Sequence, residues 1–232
     1  MITFIASVKD MLIVREKATI GYLEMIDRFI DQFKSIQSIV ADYGSKDGFA
    51  DVIKNYKSEY VFVPPNPDQE INVSKCYNAC MPVARCNLIA PVNPDFRWGK
   101  ELIEGVVIAF LRFDRVILNI KGERVNDKGQ PIGKHTFSPH VLTSQDIINC
   151  GGWDERIWGW GKEDDDIKQR ISFFFRIPSL TTESFSFKHI EHPKTLQEKY
   201  DKKNNNGDHM TENLKTYGKS VVNSYWRVKR GE

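Results

Sequence analysis

The chain has 232 residues, of which 41% are hydrophobic, and its formal net charge is +2. This length suits one large α/β domain or two small ones. The nearly neutral charge argues against bulk attraction to nucleic acid or membranes, and apolar runs such as 106–111 are too short to span a bilayer. We therefore expect no nucleic-acid partner and no transmembrane segment, while peripheral contact with a membrane stays open.

The N-terminus and the cysteines both favour a cytoplasmic location. The opening residues, MITFIASVKD, lack a basic region ahead of an apolar stretch, so no signal peptide is expected. The four cysteines, Cys76, Cys80, Cys86 and Cys150, form no C-x-x-C pair, which argues against a structural zinc site. Buried reduced thiols are the favoured interpretation.

Strand and helix patterns alternate through the first half of the chain. The predicted strands are residues 2–8, 38–41, 60–63 and 86–92. The predicted helices are residues 19–33, 48–56, 74–84 and 99–113. This alternation predicts an α/β fold with a Rossmann-like, mainly parallel sheet and helices on both faces. Ligands bind at the carboxyl ends of such strands, and Asp42 and Asp95 lie at two of these ends.

The pattern changes in the second half. The predicted elements are a strand at 116–119, a hairpin or loop excursion at 121–134, a short helix at 143–149, and strands at 173–180 and 185–190. Thr143 or Ser144 is expected to cap the short helix. Apolar residues thin out beyond residue 192, and the polar segment 193–213 is expected to act as a lid.

Residues 151–166, GGWDERIWGWGKEDDD, are the most informative stretch of the chain. Acids are favoured in the first turn of a helix, which accounts for Asp165 and Asp166. It does not account for Trp158 and Trp160 beside them. Aromatic rings beside carboxylates suit a sugar site, because the rings cover apolar C–H faces while the acids accept hydrogen bonds or a proton. We therefore favour a functional site over a simple helix start.

These segments together resemble family-2 type glycosyltransferases of the GT-A fold. The stretch WGWGKEDDD is similar to the C-terminal motif that β-1,4-galactosyltransferases share with bacterial chondroitin-type polymerases. ADYGSKDG, residues 41–48, resembles the segment V-D-D-G-S-x-D-G that follows the second strand of the family. The resemblance implies a catalytic domain over 1–192, with a nucleotide-binding half at 1–98 and an acceptor-binding half at 99–192. Residues 193–232 would form a polar lid and tail.

The resemblance implies a nucleotide-sugar site in the first half. Asp42 would lie in the uridine pocket, with Ser45 and Asp47 shaping the turn. A plain strand-to-helix turn explains these three residues equally well. Asn78 occupies the position of an Asn in the family's A-R-N segment, although Tyr77 replaces the basic residue there.

The resemblance also implies a metal site. Asn93-Pro94-Asp95 lies where the family has its Asp-x-Asp motif, so Asn93 would accept from a ribose hydroxyl and Asp95 would be the main charged ligand. A Pro-containing turn is the alternative. His189 is the expected histidine ligand and His192 the alternate. A mixed carboxylate and imidazole set favours Mn²⁺, with Mg²⁺ as the second choice.

For catalysis, the resemblance implies that Asp164 is the base. Glu163 would bind acceptor hydroxyls, Trp160 would stack on a sugar, and Trp158 would pack in the core. Asp165 is a further candidate for the acceptor site, although capping the helix or bonding to the backbone is the favoured role for it and for Asp166.

The predicted function is metal-dependent, inverting transfer of a hexose or N-acetylhexosamine. The donor would be a UDP-sugar and the acceptor a glycan or glycolipid, as in polysaccharide biosynthesis. Two alternatives stay open. A GT-A-like nucleotidyltransferase is disfavoured because VKDMLIVREKA, after the first strand, has no glycine for a phosphate loop. An inactive sugar-binding protein is conceivable because Asn93 replaces an acid.

Overall fold

The computed structural model describes residues 2–69, 71–113, 115–126, 128–135, 139–159 and 161–191. Its first half contains four parallel strands in the order β3-β2-β1-β4. They are β1 (Ile2–Val8), β2 (Ile36–Asp42), β3 (Glu59–Phe62) and β4 (Leu88–Val92). Every residue of β1, β2 and β4 is buried, as expected for parallel strands covered on both faces, and the continuous apolar run of residues 2–8 predicted this for β1.

The helices of the first half connect these strands. They are α1 (Met11–Gln32), α2 (Phe49–Val52) with a 3₁₀ turn at Ile53–Asn55, and α3 (Val73–Cys80). Helix α1 starts eight residues earlier than the predicted residue 19 because it continues through a kink at Arg15, where φ is −149° and ψ is 42°. No helix among the described residues is long and apolar enough to cross a membrane.

The second half adds strands of mixed direction. Its elements are β5 (Phe96–Arg97), α4 (Lys100–Arg112), β6 (Ile117–Val125), β7 (Pro131–His135), β8 (His140–Thr143), α5 (Ser144–Asn149), α6 (Glu163–Phe175) and β9 (Ser179–Ile190). Strand β8 lies between β4 and β6 and is antiparallel to both, whereas β9 is parallel to β6. The parallel arrangement is therefore confirmed for the first four strands, and the rest of the sheet is mixed.

Two apolar clusters occupy opposite faces of this sheet. Phe4 belongs to one cluster, which also contains side chains of α1 and α4. Ile5 belongs to the other, together with side chains of α3, α5 and α6. Successive strand residues point to opposite faces, so the predicted layers of helices on both faces are confirmed. The four cysteines are buried and reduced, as predicted.

Two local predictions in the second half were correct, and the predictions beyond α5 were partly wrong. Strands β6 and β7 form the predicted hairpin, and Thr143 caps α5 by accepting from the Asp146 amide. The predicted strand at 173–180 was wrong at its start, because α6 extends to Phe175. Instead of two strands, one strand runs through Ser179–Ile190, so aromatic β-propensity at 173–175 gave way to packing of the helix.

Candidate functional site

The carboxyl end of β2 is a tightly bonded turn around Asp42. This side chain is 1% exposed, and its two oxygens accept from the Ser45 amide at 2.8 Å and the Tyr60 hydroxyl at 2.8 Å. These bonds fix the carboxylate at the strand end where the uridine pocket is predicted. They also satisfy the plain-turn interpretation, so a nucleotide contact of Asp42 and Ser45 stays a prediction.

A second loop closes over the same edge of the sheet. The Ser45 hydroxyl accepts from the Asp10 amide at 2.8 Å, and the Asp10 carboxylate accepts from the Lys46 amide at 2.7 Å. Asp47 accepts from the Leu12 amide at 2.7 Å, at the start of α1. The segment after β2 thus holds the start of α1 in place, as expected for residues that shape this turn.

The structure brings together the predicted metal ligands Asp95 and His189. The imidazole Nε2 lies 3.4 Å from the carboxylate Oδ2, and the two side chains are 9% and 1% exposed, respectively. Strands β5 and β9 create this contact, because Phe96 pairs with His189 and the Ile190 amide donates to the Asp95 carbonyl at 3.0 Å. The two residues that the resemblance pairs as metal ligands are therefore neighbours in the structure, and metal binding by them stays a prediction.

Arg15 also reaches this carboxylate, which the sequence did not predict. Its guanidinium forms an ion pair with the same Oδ2 atom of Asp95, and the Arg15 side chain is 8% exposed. The kink in α1 occurs at this residue. Asp95 thus shares one oxygen between a guanidinium and an imidazole. Asn93 lies at the preceding turn, where its carbonyl accepts from the Phe96 amide at 3.0 Å.

The acidic motif forms the first turn of α6. Lys162 precedes the helix with φ 80° and provides no side-chain cap, so the acids themselves lie beside the positive end of the helix dipole. Burial raises the pKa of Glu163 to about 8, and the charge of Asp164 adds to this effect. Burial also raises the pKa of Asp164, to about 6, although Lys168 opposes the shift. The side chain of Asp164 is nevertheless 35% exposed.

The last two acids of the motif have different surroundings. Asp165 is 39% exposed and lies within 3.6 Å of Lys162 and 3.5 Å of Lys168. Asp166 is buried and accepts from Arg170, one helical turn later, at 2.6 Å and 2.8 Å. The Asp166 carboxylate thus neutralises a buried guanidinium, a contact that the sequence did not predict. Helix capping or a backbone bond by Asp166 stays a prediction.

Arg170 ties the acidic helix to the glycine-rich loop before it. Its guanidinium donates to the Cys150 and Gly152 carbonyls, each at 2.9 Å. Glycines 151, 152, 159 and 161 have φ values of 86°, 81°, 76° and 88°. These conformations are disfavoured for residues with a side chain, which explains the glycines around the tryptophans.

Asn78 anchors the same loop to α3. It is 1% exposed; its amide donates to the Trp153 carbonyl at 2.8 Å and to the Glu155 carboxylate at 3.1 Å, and its oxygen accepts from the Trp153 amide at 2.9 Å. Asn72 and Ser74 add bonds to the carbonyls of residues 155 and 157. A hydrogen bond donated by the Asn78 amide to the nucleotide-sugar would have to replace one of these bonds.

The tryptophans do not divide as the sequence suggested. Trp153, with 0% exposure, is the buried indole of the loop and packs against Tyr77, with the ring centroids 5.2 Å apart and the ring planes tilted by 59°. The prediction that Trp158 packs in the core was wrong, because it is only partly buried. Trp160 and His192, and the predicted lid at 193–213, lie outside the described residues.

The sequence matches to known proteins lie in the second half of the chain. Residues 140–194 match the family described as the N-terminal domain of galactosyltransferase. The β-1,4-galactosyltransferase 7 proteins of Homo sapiens and Mus musculus are each 37% identical over 57 residues, which is 23% of this chain. The aligned part spans only 17% of those relatives. The family match includes Glu163, Asp164 and His189, but not Asp42 or Asp95.

Comparison with solved structures covers most of the chain. S. aureus TarS 1–349 has a TM-score of 0.60 at 12% identity, covering 82% of this chain and 60% of TarS 1–349. Its complex with UDP has a TM-score of 0.60 at 14% identity and covers 90% of this chain and 69% of that one. The complex with UDP-GlcNAc has a TM-score of 0.59 at 11% identity, covering 83% and 59%. The predicted GT-A fold is confirmed.

Proposed function

We propose that the protein is an inverting glycosyltransferase that moves a hexose or N-acetylhexosamine from a UDP-sugar to a hydroxyl of a glycan or glycolipid. The observation that carries this proposal is the Glu163–Asp164 pair, a partly exposed acid pair with raised proton affinity at the start of α6. The galactosyltransferase match over residues 140–194 supports the reaction class. The related TarS structures with UDP and UDP-GlcNAc support the donor class.

Asp164 would act as the general base. Its carboxylate takes the proton from the acceptor hydroxyl while that oxygen bonds to the anomeric carbon and the bond to the UDP oxygen breaks. A single displacement of this kind inverts the anomeric configuration, by analogy with inverting glycosidases. Burial raises the pKa of Glu163, so this carboxyl binds a proton more readily than a free glutamate and, when protonated, can donate a hydrogen bond to an acceptor oxygen.

Asp95 and His189 are the residues that would hold a divalent cation. They offer one carboxylate oxygen and one imidazole nitrogen 3.4 Å apart, a set that Mn²⁺ accepts more readily than Mg²⁺. Within the described ranges, no three His, Cys, Asp or Glu side chains form a group that could hold a metal. The remaining ligands would therefore be diphosphate oxygens and water, and Arg15 would compete with the cation for the shared Oδ2 atom. When bound, the cation would neutralise charge on the departing diphosphate.

The remaining residues would bind the two substrates. Asp42, Ser45 and Asn93 lie at the carboxyl ends of β2 and β4, where open α/β sheets bind nucleotides. Asp165, partly exposed in the first turn of α6, is available to an acceptor hydroxyl, and Trp160 would stack on the acceptor sugar. Closure of residues 193–213 would exclude water, which otherwise competes as acceptor.

The decisive experiment is a UDP-release assay with a panel of UDP-sugars and saccharide acceptors, with and without Mn²⁺. Acceptor-dependent UDP release with a new glycosidic product supports the proposal. Release of pyrophosphate from a nucleoside triphosphate and a sugar phosphate would support a nucleotidyltransferase instead. Saccharide binding with no turnover would identify an inactive sugar-binding protein. Full activity in excess EDTA would contradict the metal dependence alone.

A further inference from the structure

His140 is a buried polar side chain next to the acidic helix. It is the first residue of β8, is 0% exposed, and pairs with Asn119 of β6. Neither imidazole nitrogen has a hydrogen-bond partner among the described residues. A buried polar group without a partner costs about 1–3 kcal/mol. An apolar residue at this position would avoid that cost, so the imidazole calls for a functional explanation.

The imidazole faces the proposed base. Its Nδ1 atom lies 3.8 Å from Oδ1 of Asp164, just beyond hydrogen-bond distance. The His140 side chain is 1% exposed and fixed in the sheet, whereas that of Asp164 is 35% exposed at the end of a helix. A shift of about 1 Å in the carboxylate would close the hydrogen bond.

Burial determines what the imidazole can contribute. It lowers the pKa of His140 well below its usual value, with a further contribution from Lys168. The ring is therefore neutral, with one N–H donor and one acceptor nitrogen. A neutral donor can orient a carboxylate without adding charge to the site.

Burial, rather than the charges around it, favours the protonated form of Asp164. Among the charges of α6, Lys168 favours the ionised form more strongly than Asp165 opposes it, and Glu163 is a further acidic neighbour. Tyr77 of α3 also interacts electrostatically with Asp164. A carboxyl base must be ionised before it can accept a proton. A hydrogen-bond donor that faces the Asp164 carboxylate would stabilise this ionised form.

We propose that His140 is a positioning residue whose Nδ1–H donates to Asp164 in the substrate-bound enzyme and holds the carboxylate ionised and aligned with the acceptor hydroxyl. This inference rests on the proposed function of Asp164.

The competing explanation is a water in the small cavity of ≈ 10 Å³ beside His140, whose lining includes Phe4, Trp98 and Leu102. That volume is close to the minimum for one water, and the lining is mainly apolar.

The test compares three substitutions of His140. His140→Asn keeps an amide donor near the Nδ1 position, His140→Gln moves it toward the Nε2 position, and His140→Phe fills the space without a donor. The Asp164 carboxyl is titrated by ¹³C NMR in the presence of acceptor, and its signal is assigned with Asp164→Asn. The pH profile of UDP release is measured on the same proteins, with thermal melts to verify folding.

The Phe and Gln variants should titrate Asp164 at higher pH than the wild type. Their kcat should fall about tenfold with little change in the UDP-sugar KM, as expected for one lost hydrogen bond to a charged group. The Asn variant should stay close to wild type. If Phe does not fold, Gln supplies the same comparison.

A packing role predicts the opposite order, with Phe tolerated and Asn damaging. That order would overturn the proposal in favour of packing. An Asp164 titration unchanged in both Gln and Phe would overturn it in favour of the water. The NMR titration needs no glycosyl transfer. A protein that fails to transfer sugar therefore tests the contact separately from the proposed reaction.

Discussion

Asp95 and Asp164, the two central carboxylates, have opposite electrostatic surroundings. Asp95 is 1% exposed, and its Oδ2 atom contacts the Arg15 guanidinium and the His189 imidazole. The Asp164 side chain is 35% exposed, and burial raises its pKa although Lys168 opposes the shift. A nearby guanidinium stabilises an ionised carboxylate, whereas burial favours the protonated form. The contrast separates a site suited to holding charge from a site suited to proton transfer.

The largest expected effect concerns Trp153, in the loop that precedes Asp164. Trp153→Ala should lower the free energy of unfolding by about 3–5 kcal/mol, because it empties the space of a fully buried indole. Trp158→Ala is the matched control and should cost less, since that ring is only partly buried. Urea melts of both variants measure the difference. Equal losses would mean that the second indole supports the fold as much as the first.

The next prediction tests the proton-transfer side of the comparison. Asp164→Asn should reduce kcat by at least ~10²-fold, because an amide cannot accept the acceptor proton. UDP-sugar binding, measured by calorimetry, should stay nearly unchanged. In the wild type, activity should fall as the pH drops below about 6, where the raised pKa of Asp164 leaves it protonated. Activity of the Asn variant within a few-fold of wild type would exclude Asp164 as the base.

The third prediction tests the charge-holding side. Asp95→Ala should weaken Mn²⁺ binding in the presence of UDP by at least ~10-fold, since it removes the charged ligand of the pair. His189→Ala should weaken it too, and by more than His192→Ala. Asn93→Asp, the matched control, should keep or raise the affinity. Free Mn²⁺ measured by EPR gives the values. An unchanged Mn²⁺ affinity in Asp95→Ala would mean that Asn93-Pro94-Asp95 is only a turn and binds no metal.

Sequence reasoning succeeded where one local pattern carried the information. The buried strand β1 was predicted from its continuous apolar run, and the GT-A resemblance brought Asp95 and His189 together although 94 positions separate them. Spacing alone could not have paired them, because the contact depends on the short strand β5 lying against β9.

The residues that sequence reasoning missed depend on three-dimensional geometry. Arg15 looks like an ordinary charged residue of α1, and only the kink at its own backbone directs it to Asp95. His140 is a single histidine before an apolar run, with no spacing pattern to mark it. The sequence could not predict the mixed strand directions in the second half of the sheet, because the direction of a strand depends on which neighbouring strand it pairs with.

The smallest predicted effect asks whether Arg15 competes with the metal. Arg15→Met keeps much of the length of the side chain but removes the guanidinium from Asp95 Oδ2. The Asp95 carboxylate is then buried without the guanidinium, which destabilises the metal-free protein. A bound divalent ion would neutralise the buried negative charge instead. Mn²⁺ should therefore bind the variant several-fold more tightly than wild type, and it should raise the melting temperature of the variant by more. Arg15→Lys, which keeps a charge, should lie between the two. Equal Mn²⁺ affinities across the three proteins would mean that Arg15 stays on Asp95 when the metal binds, and that the charge-holding site is built from a guanidinium and a metal together.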